Sequence, residues 1–242
     1  AGNLLPWAPY KNDVKSFLVR PDSQIYTSNN STAQMFNGYA NLEQVNLVNL
    51  HTDNAASMYR MFFGCSKLAE LSFPSTFITS NVTGPTTASM QEMFGGCSSL
   101  KTLDLTTFNF TRTNSTASMF IGCSKLEEIK FSTTNDIRMD SVTDMSGMFK
   151  GCSSLKTMDL SALSTSAVTT MLNMFQDCVS LQNVVFTPSG LGTLNLSSVS
   201  YMFSGCTSLT EVNVGALNVA KVGNFSGMFM NCRNLRELDL ST

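Results

Sequence analysis

The stretch that decides the fold lies at residues 93–105 and reads MFGGCSSLKTLDL. A near copy, MFKGCSSLKTMDL, occupies residues 148–160. The Met-Phe pair that begins both stretches occurs eight times, at intervals of 26, 32, 26, 29, 26, 28 and 26 residues. Short and long copies therefore alternate, and a leucine follows each of these methionines by seven residues. The methionines are Met35, Met61, Met93, Met119, Met148, Met174, Met202 and Met228.

Each repeat predicts one strand and one short helix. The closing L-x-x-L-x-L pattern alternates apolar and polar residues, as a strand with one buried face does. Upstream in the fifth repeat, Met145, Met148, Phe149 and Cys152 fall at positions i, i+3, i+4 and i+7. This spacing places them on one face of a helix, and Thr143 can cap its first turn.

A stop signal for the helix follows each key methionine by three residues. Only Gly, Asn and Asp occupy this position, and these residue types tolerate a positive φ at a helix C-terminus. The sequence therefore predicts a left-handed residue at the same place in every repeat. These residues are Gly38, Gly64, Gly96, Gly122, Gly151, Asp177, Gly205 and Asn231.

The repeats are expected to stack as successive coils, because one strand and one helix cannot bury an apolar face alone. We predict an α/β fold: a right-handed leucine-rich-repeat solenoid of about nine coils, with a parallel sheet on one side and short helices on the other. Eight of these coils belong to a solenoid domain at residues 35–242. Residues 1–34 are predicted to form an N-terminal cap with one degenerate repeat. There Val14, Phe17 and Val19 reproduce the strand pattern, and Trp7 stands in place of the methionine.

The C-terminal end of the solenoid lacks a cap in the sequence. Its last strand is followed only by Leu240, Ser241 and Thr242. An uncapped solenoid exposes core side chains and a strand edge. We therefore expect either that the natural chain continues or that two copies stack end to end as a homodimer.

The composition argues against two classes of partner. A net charge of -2 disfavours nucleic acid, which needs a basic face to displace counterions. No apolar run approaches the roughly 20 residues of a membrane-spanning helix. The sequence therefore predicts neither nucleic-acid binding nor a membrane span in this chain.

The cysteine and histidine pattern gives little support to a metal site, a disulfide framework or a catalytic site. No C-x-x-C pair occurs and His51 is the only histidine, so we predict no metal site, no cofactor and no enzymatic activity. The cysteines number seven and share one position of the repeat. An odd count at a single structural position predicts reduced, buried thiols rather than disulfides. They are Cys65, Cys97, Cys123, Cys152, Cys178, Cys206 and Cys232.

One surface carries a consistent charge pattern. In each predicted strand, the residues on either side of the middle residue point outward, and among them seven carboxylates, including Glu237, accompany one lysine. This is either a solvated face that maintains solubility or an acidic strip for a basic partner or a divalent cation. The candidate binding residues are Glu70, Asp104, Glu128, Lys130, Asp159, Glu211 and Asp239.

The quoted stretches, together with SVTDMSG at residues 141–147 and NVT at residues 81–83, resemble BspA-like leucine-rich repeats. That resemblance spans residues 35–242 and departs from the family at Tyr39, which stands at the first cysteine position. It also departs in the irregular loops at 74–87, 132–140 and 187–197. The resemblance implies a surface or secreted protein of mucosal bacteria, mycoplasmas or parasitic protists that acts in adhesion, and it supplies no catalytic motif.

These observations predict a cell-surface or secreted recognition and adhesion module that binds a host or cell-surface protein or glycan through the exposed strand face. A passive spacer within a longer surface protein is the first alternative. A β-solenoid enzyme acting on glycans is the second. The enzyme is disfavoured because the outward carboxylates are scattered, and because one tryptophan and five tyrosines are few for stacking on sugars.

Overall fold

The computed structural model describes residues 7–28, 32–83, 89–132, 139–161, 163, 165–186, 195–213 and 217–239. A 3-10 helix at Ala8–Tyr10 precedes ten short strands. The strands are β1 (Ser16–Leu18), β2 (Ile25–Tyr26), β3 (Gln44–Asn46), β4 (Leu50–His51), β5 (Thr102–Asp104), β6 (Glu128–Lys130), β7 (Thr157–Asp159), β8 (Asn183–Val185), β9 (Glu211–Asn213) and β10 (Glu237–Asp239).

All strand pairs are parallel, and the chain winds as a leucine-rich-repeat solenoid of about eight turns from β1 to β10. In the N-terminal segment, Phe17 of β1 pairs in register with Val45 of β3. Eight of the nine predicted strand positions form strands, and residues 70–72 do not. A separate parallel pair of short strands, β2 and β4, lies in the same N-terminal part of the chain.

The predicted short helices are wrong for the described residues, where each Met-Phe segment is a run of tight turns. The cause is a residue with positive φ directly before each methionine, such as Arg60 (φ 50) and Glu92 (φ 55). A left-handed residue cannot continue a right-handed helix. These residues are Gln34, Arg60, Glu92, Ser118, Gly147, Asn173, Tyr201 and Gly227.

Hydrogen bonds show what replaces the helix. The Met61 amide donates to the Met58 carbonyl, which closes a local turn, at 3.1 Å. The next amide, that of Phe62, donates to the Met93 carbonyl of the following coil at 2.8 Å. Backbone amides therefore alternate between the local turn and the neighbouring coil, so the turn side of the solenoid is itself a ladder between coils.

The predicted left-handed stop positions are confirmed. All eight residues have positive φ, from 62° at Asp177 to 80° at Gly38. They interrupt the turn segment rather than end a helix. Gly96 also faces its neighbour closely, because a Cβ added there would lie 3.3 Å from the Gly64 Cα.

The core is a stack of similar layers. The phenylalanines of the Met-Phe pairs lie parallel from coil to coil, with ring centroids 5.5 Å apart between Phe94 and Phe120 and between Phe120 and Phe149. The leucine seven residues after each methionine is fully buried from Leu42 to Leu209. This layered packing buries the apolar face that no single repeat could bury alone.

The cysteines form a second stack beside the phenylalanines. All seven are free thiols, and each Sγ donates to the carbonyl of the phenylalanine in the preceding coil, as from Cys123 to Phe94 at 3.1 Å. Six are buried, as predicted, whereas Cys232 is half-buried. Tyr39 takes the same position in the first Met-Phe repeat, and its hydroxyl donates to the Trp7 carbonyl at 3.0 Å.

Candidate binding face

The outward side of the strands, together with the residue directly before each strand, is called the strand face here. Alternation along each strand explains its exposure: Thr102 and Asp104 are exposed, while Leu103 between them is buried. The predicted outward residues Glu70, Asp104, Glu128, Lys130, Asp159 and Glu211 are all exposed. Asp239 lies in β10, and its side chain is outside the described part of the structure.

The strand register places Lys130, the one lysine among the predicted outward-facing residues, beside a carboxylate. Lys130 of β6 pairs with Asp104 of β5. The pKa of Asp104 is lowered chiefly by hydrogen bonds from the Thr106 hydroxyl and amide, with a smaller contribution from the Lys130 charge. On the same side, Glu211 pairs with Glu237, so the last two strands bring two carboxylates together.

The sequence prediction missed the residues that directly precede the strands, although they are exposed and mostly charged. Lys101 and Lys156 lie in the coils on either side of the coil that carries Glu127. The strand face is therefore mixed in charge with an excess of carboxylates, rather than purely acidic. The missed charged residues are Lys15, Glu43, Lys101, Glu127, Lys156 and Arg236. These residues directly follow the first apolar residue of the L-x-x-L pattern, and this position in the sequence could have identified them as exposed.

The sheet beneath this face is interrupted. From β5 onward the strands pair two by two, as β5–β6, β7–β8 and β9–β10. The first residues of the two strands in each pair are 26 positions apart, whereas successive pairs are joined by the repeats of 29 and 28 residues. The long repeats therefore coincide with the breaks between pairs.

The coils stay joined on the turn side at these breaks. The Gly122 amide donates to the Lys150 carbonyl at 2.8 Å, across the same two coils that carry β6 and β7. The Asp177 amide likewise donates to the Ser204 carbonyl at 2.8 Å, across the coils of β8 and β9. The breaks are therefore confined to the strand side of the solenoid.

Hollows open on the strand face at these two breaks and around residues 69–72. The middle hollow, between β6 and β7, has a volume of about 610 Å³. Buried Met158 and half-buried Ile129 and Phe131 line it, together with the carboxylates of Glu128 and Asp159. A hollow of about 700 Å³ around residues 69–72 is lined by Glu43, Glu70 and Asp104 among others. A smaller one of about 260 Å³ lies between β8 and β9.

His51 lies away from this face. Its ring stacks on exposed Tyr26 with centroids 4.5 Å apart, and its Nε2 is 2.5 Å from the Gln24 Oε1. Within the described ranges, no group of three or more His, Cys, Asp or Glu residues is placed to hold a metal ion. The same part of the chain contains no helix with the length and apolar character needed to cross a bilayer.

The last described coil exposes apolar side chains. Phe225, Met230 and Leu238 are exposed by 47%, 48% and 41%, and they line a hollow of about 540 Å³ with Val219 and Phe229.

Residues 30–138 and 126–241 match the family described as "Mycoplasma protein of unknown function, DUF285". No curated protein sequence matches the chain significantly. Among solved structures, a leucine-rich repeat protein of T. pallidum is similar, with 18% identity, coverage of 93% of this chain and 79% of that chain, and a TM-score of 0.43.

Two further solved structures are similar over much of the chain. A leucine-rich cell surface protein of Faecalibacterium prausnitzii has 14% identity, coverage of 86% of this chain and 75% of that one, and a TM-score of 0.26. A leucine-rich repeat protein of Eubacterium ventriosum has 18% identity, coverage of 83% and 47%, and a TM-score of 0.40. Similarity at this level carries no argument about ligand or activity.

Proposed function

This chain belongs to the family described as "Mycoplasma protein of unknown function, DUF285", and from its strand face we propose that it is a non-enzymatic recognition and adhesion module. It acts at a cell surface or as a secreted protein. Its partner is a host or cell-surface protein or glycan, which binds across the strand face.

The observation that carries this proposal is the uncovered strand face. Parallel strands normally have both faces covered by other elements. Here Thr157 and Asp159 of β7 are exposed on one side, while Met158 packs into the core on the other. No described element covers the outward side, so it is available to a partner.

The charge of the strand face supports a polar partner. Exposed carboxylates outnumber exposed bases there, and among the described residues none of them forms a salt bridge. Unpaired charge of one dominant sign steers a complementary partner and makes binding sensitive to salt. The partner is therefore expected to present basic groups.

The resemblance to BspA-like repeats supports the adhesive role and the surface location. It rests on the repeated M-F-x-G-C pattern, of which residues 148–152 are a clear copy. Repeats of that family occur in surface and secreted proteins. A module of this kind needs a rigid scaffold and an open face, and the stacked coils supply both.

Binding of the purified chain to an array of matrix proteins, mucins and glycans, at low and at moderate salt, tests this proposal. We expect a hit that weakens as salt rises. Reversal of three carboxylates of the strand face, in the triple variant Glu128→Lys, Asp159→Lys and Glu211→Lys, should abolish it. Each of these residues is exposed, so the variant should fold normally.

A matched control separates the strand face from net charge. The triple variant Asp13→Lys, Asp22→Lys and Asp53→Lys changes the net charge equally but alters exposed residues outside the strand face. It should retain binding. Equal loss in both variants would contradict a site on the strand face, and no hit on any surface would favour the passive spacer.

A further inference from the structure

Among the described residues, strand β6 is paired along one edge and has no strand partner along the other. Toward β5, the Glu128 amide donates to the Lys101 carbonyl, and the Lys130 carbonyl accepts from the Leu105 amide at 2.8 Å. Alternate residues of a parallel strand direct their backbone groups to opposite sides. Ile129, which lies between them, therefore directs its N–H and C=O into the middle hollow.

Strand β7 meets the hollow with the complementary pattern. Toward β8, the Lys156 carbonyl accepts from the Gln182 amide at 2.8 Å, and the Leu160 amide donates to Val185 at 3.0 Å. By the same alternation, Thr157 and Asp159 direct their backbone groups toward β6. Among the described residues, no backbone hydrogen bond joins 127–131 to 156–160.

We propose that the middle hollow binds an extended peptide segment of a partner protein, which inserts as a parallel strand between β6 and β7. This inference rests on the proposed function and specifies the partner at the strand face. Two free edges face one another across the hollow, so an inserted strand gains backbone hydrogen bonds on both sides. A strand added to an ordinary sheet edge gains them on one side only.

The walls of the hollow define the sequence of the segment. A central apolar residue of the segment packs on Ile129 and Met158, which line the hollow floor. The residue before it points outward beside Glu128 and is therefore basic. The residue after it lies between Lys130 and Asp159, where opposite charges favour a polar side chain. The motif is basic, apolar, polar.

The middle hollow suits such a segment better than the other two. Common ligand pockets have volumes of about 300–1,000 Å³. The middle hollow, at about 610 Å³, falls in this range, whereas the hollow between β8 and β9 has a volume of only about 260 Å³. In the hollow around residues 69–72, residues 70–72 do not form a strand and therefore offer no regular strand edge. Of the three hollows on the described strand face, only the middle one lies between two regular strands and has sufficient space.

A labelled peptide tests the proposal directly. The probe is a fluorescein-labelled peptide with blocked ends and the sequence Gly-Ser-Arg-Val-Thr-Ser-Gly, and fluorescence polarisation measures its binding to the intact chain. We expect saturable binding at one site per chain. The matched control peptide has an N-methylated valine amide. It should bind at least about tenfold more weakly, because it loses one backbone hydrogen bond and its methyl group clashes with the β7 edge.

Hydrogen exchange followed by NMR reports where the peptide inserts. The amides of Ile129, Thr157 and Asp159 should become protected when the probe binds. The amide of Met158, which faces β8, should not change. Binding without protection at the first three amides would overturn the insertion, even if the affinity were high.

Two variants of the chain complete the test. Glu128→Lys should weaken the probe at least about tenfold, while Glu237→Lys, the same change on the paired strand β10, should leave it unaltered. Ile129→Pro removes the one N–H of β6 that faces the hollow and spares the ladder to β5, so it should abolish binding without unfolding the chain. Equal effects of both charge reversals would overturn the assignment to this hollow.

The outcomes separate this inference from the proposed function. If the array identifies a partner that needs the strand face, but the probe gives no protection at Ile129, the inserted strand is wrong and the recognition function stands. If the probe inserts but the array identifies no partner, the hollow binds peptides and the adhesive role is wrong.

Discussion

At the scale of single residues, two left-handed positions per repeat determine the path of the turn side. One of them, three residues after the methionine, is Gly, Asn or Asp in every repeat. The other, directly before the methionine, is occupied in several repeats by residues that rarely adopt a positive φ, such as Arg60, Glu92 and Tyr201. A left-handed conformation costs an L-residue about 1–2 kcal/mol, so stacking must offset this strain in most coils.

Gly122→Ala tests the cost of the left-handed conformation. Gly122 has a φ of 70°, and an added Cβ would meet the Gly96 backbone at an ordinary 3.9 Å, so strain rather than collision decides the effect. We expect the free energy of unfolding in urea to fall by about 1–2 kcal/mol. The control Gly223→Ala adds a methyl group where no atom lies within 4 Å and should change stability by less than about 0.5 kcal/mol. Equal effects of the two substitutions would refute this account.

At the scale of elements, the turn segment and the strand of each coil have different structural roles. The turn segment supplies the continuous ladder between coils, because its amides alternate between local and inter-coil carbonyls. The strand supplies the open face and is paired only two by two from β5 onward. The ladder between coils and the open face therefore lie on opposite sides of the solenoid.

Leu155→Ala and Glu128→Ala test this inside and outside assignment. Leu155 is fully buried at the base of the strand segment, so its truncation should lower the free energy of unfolding by about 2–5 kcal/mol. Glu128 is exposed on β6, and its truncation should change stability by no more than about 0.5 kcal/mol. Chemical denaturation measures both. Similar losses at the two sites would disprove the assignment.

At the scale of the whole molecule, stacked thiols couple stability to pH. Burial raises the pKa of Cys65, Cys123 and Cys178 from 9.0 to about 12 in each case. Well below pH 9 these thiols are protonated in both the folded and the unfolded chain and have no effect on the pH dependence. As pH rises from 9 toward 12, only the unfolded chain releases their protons, so the folded state loses stability.

Alkaline unfolding should therefore be steep. Between about pH 10 and pH 11, where only the unfolded thiols are ionised, these three thiols together lower the free energy of unfolding by about 4 kcal/mol per pH unit. Circular dichroism melts between pH 7 and 11 should show a constant Tm up to about pH 9 and a sharp fall beyond it. Cys123→Ala should make the fall shallower, whereas Cys232→Ala, at the half-buried thiol, should alter it less. A Tm that is unchanged at pH 10.5 would contradict the raised pKa values.

The sequence by itself determined the features that depend on local pattern. Period-2 alternation identified Leu103 as buried and Asp104 as exposed. Residue type at Gly122 and its equivalents identified one left-handed position. Each of these conclusions needs only the chemistry of a few neighbouring residues, repeated eight times.

Only the tertiary structure decided the turns, the breaks in the sheet and the full charge of the strand face. The spacing of Met145, Met148 and Phe149 fits a helix, but only the Met148 amide closes a local turn, on the Met145 carbonyl, while the amides of Met145 and Phe149 donate to the adjacent coil. The break between β6 and β7 depends on how coils of unequal length close on one another. Such competition between local and inter-coil hydrogen bonds is a property of the stack, because no repeat contains its own partner.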